Sequence, residues 1–214
     1  MDKLEELFAR YPALAVCEDE LAKTLALMLD TYHKGGKIMV CGNGGSCADA
    51  QHIVGELMKG FLLRRPMTAE QKNQFENVLG TEDADLFASR MQRGIPAVAL
   101  DGATGLLTAY ANDVDADYMY AQQVFAFGKE NDLLIGISTS GNSKNVVNAM
   151  KASKALGIPS VALTGAKESK SSALATAAIR VPETETFKVQ ELHLPVYHYL
   201  CAEMEECVFG ADEL

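Results

Sequence analysis

The sequence predicts an α/β protein, a doubly wound five-stranded parallel sheet flanked by helices, and three observations carry that prediction. Apolar strands alternate with amphipathic helices through most of the 214 residues. The strands are too apolar to leave a face in water, so helices must cover both faces of the sheet. Two strands also run directly into Gly/Ser/Asn loops, Ile-Met-Val-Cys-Gly-Asn-Gly-Gly-Ser at 38–46 and Ile-Gly-Ile-Ser-Thr-Ser-Gly-Asn-Ser at 135–143.

From residue 2 to about 34, apolar positions such as Leu4, Leu7 and Phe8, then Leu21, Leu25, Met28 and Leu29, recur at helical spacing. Two N-terminal helices are expected, broken near Pro12. The alternation then predicts strand 37–42, helix 46–60, strand 96–100, helix 115–127 and strand 132–138. It continues with helix 142–156, strand 158–164, a short helix near 170–177, strand 178–182 and a long C-terminal helix over 187–208. Only 64–94 breaks the rhythm. It is too long for a simple connection, and Phe75, Val78, Leu79, Leu86, Phe87 and Met91 suggest two short amphipathic helices within an insertion.

The length suits one domain over 1–214, able to bury roughly 70% of its unfolded surface. A formal net charge of -10 supplies no basic block and argues against direct binding to nucleic acid. Cys17, Cys41, Cys47, Cys201 and Cys207 are odd in number and sit in apolar or helical contexts, as buried thiols of a reducing compartment do. No apolar signal core and no membrane-spanning run appears, so a cytoplasmic location is expected.

Small residues let a ligand approach the backbone, and the first-turn N–H groups of a following helix have no helical partner. Such loops suit a phosphate, and Ser138, Thr139, Ser140 and Ser143 add hydroxyl donors. Neither loop is a nucleotide fingerprint. A dinucleotide motif would need glycine where Cys47 follows Gly42 and Gly44, and a P-loop would need Gly-Lys-Ser/Thr. No nucleotide cofactor is expected.

On helix 46–60, His52 and Glu56 are four residues apart and share a face. The last helix carries Gln190, Glu191, His193 and His198, so three of the four histidines lie in two helices. His52, Glu56, Gln190 and His198 form an N/O ligand set suited to a zinc-like ion. Positions 190 and 198 are about 12 Å apart on a straight helix, so one ion needs a bend at Pro195 or ligands from different subunits. Glu191 and His193 are the competing candidates.

Taken together, the Cys-Gly-Asn-Gly-Gly-Ser loop, the Asp-Ala-Gln-His-Ile-Val-Gly-Glu helix, Ala-Asn-Asp at 111–113, Gly-Ile-Ser-Thr-Ser-Gly-Asn-Ser, Ala-Leu-Thr-Gly at 162–165 and Gln-Glu-Leu-His-Leu-Pro-Val-Tyr-His at 190–198 resemble the sugar isomerase (SIS) domain family. Within it they are similar to the isomerases of heptose phosphates. The resemblance runs in order over the chain except 64–94, and Cys47 stands where some relatives have histidine.

The resemblance implies a three-layer fold and a homotetramer that converts sedoheptulose 7-phosphate into D-glycero-D-manno-heptose 7-phosphate, a step toward bacterial surface polysaccharide. It implies that Asn43, Gly44, Gly45, Asn112 and Asp113 meet the sugar, and that Ser138, Thr139, Ser140 and Ser143 hold the phosphate. It places zinc, one per subunit, on His52, Glu56, Gln190 and His198, with Glu56 and Gln190 also touching substrate. Moving a carbonyl from C2 to C1 needs a base and an acid around an enediol, and Glu56 and His198 are the candidates. The alternatives are the isomerase of another sugar phosphate, a sugar-phosphate-sensing module, or a non-catalytic scaffold. The scaffold is a relative that binds the replication initiator DnaA and lacks the carboxylate and final histidine that this chain keeps.

Overall fold

The computed structural model describes residues 2–210. Helix α1 (Lys3–Arg10) and a 3-10 turn (Pro12–Cys17) precede α2 (Glu18–His33), with the break at Pro12, which cannot donate a helical hydrogen bond. Then come β1 (Ile38–Gly42), α3 (Gly45–Met58), α4 (Ala69–Leu79), α5 (Thr81–Arg90), β2 (Ala97–Ala99) and α6 (Thr104–Tyr110). A π segment (Ala111–Asp115) and a 3-10 turn (Ala116–Tyr118) lead into α7 (Met119–Phe127). The chain finishes with β3 (Leu133–Ile137), α8 (Lys144–Ala155), β4 (Ser160–Thr164), α9 (Lys170–Leu174), β5 (Ala177–Arg180) and α10 (Thr186–Phe209).

All five strands pair in parallel in the order β2-β1-β3-β4-β5. Side chains alternate across the sheet as the two-residue period requires. Ile38 and Val40 of β1 join Leu21, Met28, Ile53, Leu57, Val196 and Leu200 on the face covered by α2, α3 and α10. Met39 and Cys41 join Tyr120, Val124, Val146 and Met150 on the face covered by α7 and α8. Both faces are therefore covered, giving three layers.

Winding reverses between β1 and β3, which lie side by side with Gly42 opposite Ile137. In such a sheet the crevice beyond the carboxyl ends at the reversal receives the ligand, and the two glycine loops leave the sheet there.

Segment 64–94 folds as two helices, as its apolar spacing predicts. A Thr68/Gln71 capping box starts α4, Phe75 and Phe87 pack with ring centroids 5.3 Å apart, and Val78, Leu79, Leu86 and Phe87 remain exposed. The entry to this insertion is anchored at Arg65. It is 1% exposed and bonds Glu205 through Nε at 2.6 Å, the Leu57 carbonyl at 2.7 Å and the Glu56 carbonyl at 3.1 Å. Glu205 also accepts the backbone N–H groups of Phe61, Leu62 and Leu63.

The region 104–118 differs from expectation, which placed a helix from about 115 and none before it. Gly102, Gly105 and two threonines leave no apolar stripe to read there, and α6 has no buried residue.

Candidate active site

The first loop turns at Gly44, whose φ of 57° is reached at little steric cost only by glycine. Gly45 opens α3, and a β-carbon there would lie 2.5 Å from Gln190 Nε2. Gln190 is thus seated at the start of α3.

The serine loop closes on itself at Ser138 and Ser143, whose hydroxyl oxygens are 3.0 Å apart. Ser143 caps α8 without a side-chain bond; Asn145 Oδ1 accepts the Val146 N–H at 3.0 Å, which leaves the Lys144 and Asn145 N–H groups of the first turn for an anion. Two amides join the loops: Asn43 Nδ2 donates to Asn145 Oδ1 at 2.8 Å, and Asn145 Nδ2 donates back to Asn43 Oδ1 at 2.9 Å. Tyr120 braces the pair by donating to the Gly42 carbonyl at 2.6 Å.

Helices α3 and α10 run side by side in the same direction. Gln190 meets Gly45, and Tyr197 and His198 meet His52. His52 Nε2 lies 3.2 Å from Glu56 Oε1, and Lys59 Nζ donates to Glu56 Oε2 at 2.7 Å. The His52 and His198 rings stand edge to face at 5.0 Å, with Phe61 5.6 Å from His198 on its other side. Tyr197 Oη completes the cluster, 3.0 Å from His52 Nδ1 and 3.2 Å from Asp49 Oδ1.

Burial shapes the electrostatics. Desolvation, with His52 and Arg10 adding to it, lowers the His198 pKa, and Glu56 opposes them only in part. Burial raises the Asp49 carboxyl, held back by the Tyr197 bond and His52. His193 is fully buried; burial lowers its pKa to about 4, with the Thr164 backbone a partial offset, and neither ring nitrogen has a partner within bonding geometry.

The expected ligands divide. His52, Glu56 and His198 converge, and the buried His198 Nε2 has no hydrogen-bond partner, as suits an N/O metal donor. Among the described residues, however, no group of three His, Cys, Asp or Glu side chains is placed so that it could hold a metal ion. Gln190 stays at Gly45, because α10 continues as one helix through Pro195. The proline therefore does not end the helix, and the axial separation noted from the sequence remains.

Asn112 and Asp113 are exposed and bond to one another, Asn112 Nδ2 donating to Asp113 Oδ1 at 2.8 Å. No hydrogen bond ties them to the other candidates among the described residues. A cavity of about 490 Å³ opens between α1 and α10, bordered by Arg10, Tyr11, Phe61 and His198. It shares no residue with the serine loop.

Sequence reasoning missed Asp49, Tyr197, Lys59 and Asn145. Asp49 was within reach, since it lies three residues before His52 and so on the same helix face. Tyr197 was not, because its partners are almost 150 residues away.

The SIS domain model matches residues 12–83 and 83–165, two stretches that meet inside α5. The phosphoheptose isomerase of Aneurinibacillus thermoaerophilus is 39% identical over 181 residues, covering 85% of this chain and 78% of its own. That of Shewanella baltica (strain OS155) is 34% identical over 212 residues, covering 98% and 94%. Among solved structures, a phosphoheptose isomerase from Neisseria gonorrhoeae superposes with a TM-score of 0.71 at 32% identity over 94% of each chain. One from Francisella tularensis superposes with a TM-score of 0.74 at 26% identity, over 96% of this chain and 100% of its own. With its parallel sheet, its paired loops and nearly its whole length matched, the chain belongs to the SIS domain family and is an isomerase.

Proposed function

We propose that the chain converts sedoheptulose 7-phosphate into D-glycero-D-manno-heptose 7-phosphate. The observation that carries this reading is the convergence of Glu56, His52 and His198 from two helices, in a chain whose serine loop, at the carboxyl end of the sheet, offers anion donors. The same sugar class stands in the names of the relatives.

In this reading Ser138, Thr139, Ser140, Ser143 and the first turn of α8 bind the phosphate. Asn43, Gly44, Gly45, Asn112, Asp113 and Gln190 meet the sugar. Glu56 takes a proton from C1 of the ketose, the C1–C2 bond becomes the double bond of an enediol, and the proton returns at C2. Lys59 donates to Glu56 Oε2 and holds the carboxylate in place, while His52 Nε2 lies 3.2 Å from its other oxygen. His198, kept neutral by its lowered pKa, exchanges a proton between O2 and O1. This arrangement separates base and acid, as enediol chemistry requires.

His52, Glu56 and His198 would hold a zinc ion; Gln190 of the same chain stays at Gly45, about 12 Å along α10 from His198, so the remaining expected ligand would come from another subunit. Bound there, zinc would polarise the substrate carbonyl. The assembly we propose is a homotetramer, consistent with the apolar side chains of Leu106, Val114, Tyr118 and Phe125 left exposed along 104–127. A cytoplasmic setting agrees with five free thiols and with the absence, among the described residues, of any helix long and apolar enough to cross a membrane.

The test is incubation with sedoheptulose 7-phosphate while the aldose is measured, beside Glu56→Gln and His198→Ala. Loss of general acid–base help is expected to cost about 10²- to 10⁴-fold in kcat. Turnover that persists in both variants would remove these roles. No turnover on any ketose phosphate, with tight binding to DnaA, would favour the scaffold. Metal analysis of protein prepared without chelator decides the zinc.

A further inference from the structure

Tyr197 Oη stands between two groups, Asp49 Oδ1 at 3.2 Å and His52 Nδ1 at 3.0 Å. A phenol has one hydrogen to give, and an ionised carboxylate can only accept. The Tyr197 hydrogen therefore goes to Asp49. Asp49 has no substitute donor among the described residues: its second oxygen, Oδ2, is buried without a hydrogen-bond partner. The Tyr197 oxygen is left as an acceptor, and His52 must meet it with Nδ1–H.

We infer that Asp49 and Tyr197 are positioning residues that keep a proton on His52 Nδ1, leaving Nε2 as the working nitrogen of that ring. Nε2 faces Glu56 Oε1 at 3.2 Å. Two lone pairs do not attract, so the gap between them suits a cation, either a proton or a metal ion. The relay thus decides which atom His52 presents to the site, and its rigidity follows from packing. Tyr197 is 2% exposed within the core, and its ring lies against both His52 and His198, at 5.4 and 5.1 Å. Outer partners that fix a histidine tautomer commonly matter about 10- to 100-fold for metal affinity or activity.

This inference rests on the placement of His52 and Glu56 at the isomerase site, and its test reads the imidazole itself. Protein labelled with 15N-histidine, with and without chelator treatment, is examined by long-range 1H–15N correlation at pH about 9, above the ordinary imidazole range. His52→Ala assigns the resonance. In the wild type, Nδ1 of His52 is expected to carry the proton. Tyr197→Phe, nearly the same shape, is expected to give a mixture of tautomers and to lower kcat about 10- to 100-fold with KM little changed. Asp49→Ala frees the phenol to donate to Nδ1, so the proton is expected to move to Nε2. A wild-type ring protonated on Nε2 would mean that the relay runs in the opposite sense from a protonated Asp49, and would overturn the inference. So would a His52 tautomer indifferent to Tyr197→Phe. The expected tautomer pattern in a protein that fails to turn over sedoheptulose 7-phosphate supports the relay and removes only the choice of sugar.

Discussion

The same added methyl group would meet two different neighbours at Gly42 and Gly45. At Gly42 it would sit 2.4 Å from the Ser46 carbonyl oxygen, and at Gly45 it would sit 2.5 Å from the end of the Gln190 side chain. Backbone cannot step aside as a side-chain amide can. Gly42→Ala is therefore expected to lose about 1–3 kcal/mol in urea unfolding. Gly45→Ala should stay within about 0.5 kcal/mol of wild type but raise KM by displacing Gln190. An unchanged KM would argue against Gln190 as a substrate contact. Buried His193 makes a pH prediction. Its folded pKa of about 4 lies below the unfolded value of about 6.5, so the unfolded chain binds the proton first. Stability from its neutral form is complete above about pH 6.5 and is lost as pH falls toward about 4, by up to roughly 3 kcal/mol. His193→Leu should flatten that part of the unfolding profile, and equal slopes in both proteins would refute the assignment.

Arg65 ties two elements of the site together. It bonds the Glu56 and Leu57 carbonyls at the end of α3 and meets Glu205 of α10, while Glu205 holds the 61–63 backbone that carries Phe61 to His198. The Glu205 carboxyl is raised by burial, but its bonds from Phe61, Leu62 and Arg65 outweigh this and leave the pKa lowered. Glu205→Gln keeps the shape and leaves Arg65 as a buried unpaired charge. Such a change typically costs about 3–5 kcal/mol, and the paired Arg65→Met/Glu205→Leu replacement should recover part of that loss in urea unfolding. A Glu205→Gln protein as stable as wild type would show that the pair does not anchor the end of α3.

The elements themselves were largely legible in the sequence, because runs such as Leu133–Ile137 and Ser160–Thr164 are apolar on both sheet faces and leave no other fold for the pattern. The His52/Glu56 pair was legible for a local reason, the helix period. The Arg65–Glu205 pair and the Asn43–Asn145 bridge were not, since each joins positions more than 100 residues apart whose proximity is decided by the winding of the sheet. Helix α6 was missed because it buries no side chain fully, with Leu107 only partly packed against the core, and so carries no burial pattern.

At the scale of the whole molecule, the apolar side chains of 104–127 and of the inserted hairpin remain open to solvent in one chain. The tetramer proposed above predicts a sedimentation mass four times the 23.1 kDa of the chain, and a monomer at working concentration would remove it. Helix α10, laid along α3 in the same direction, has a consequence in time. Tyr197 lies 145 residues from His52 in sequence, and Glu205 lies 140 from Arg65. Chains are synthesised from the N-terminus and their domains tend to fold as they emerge, and contacts this distant close late because their ends must first be brought together. Helix α3 and its glycine loop leave the ribosome long before α10 exists. A nascent chain can form β1 and α3 yet cannot assemble the isomerase cluster, so activity begins only after α10 has been added.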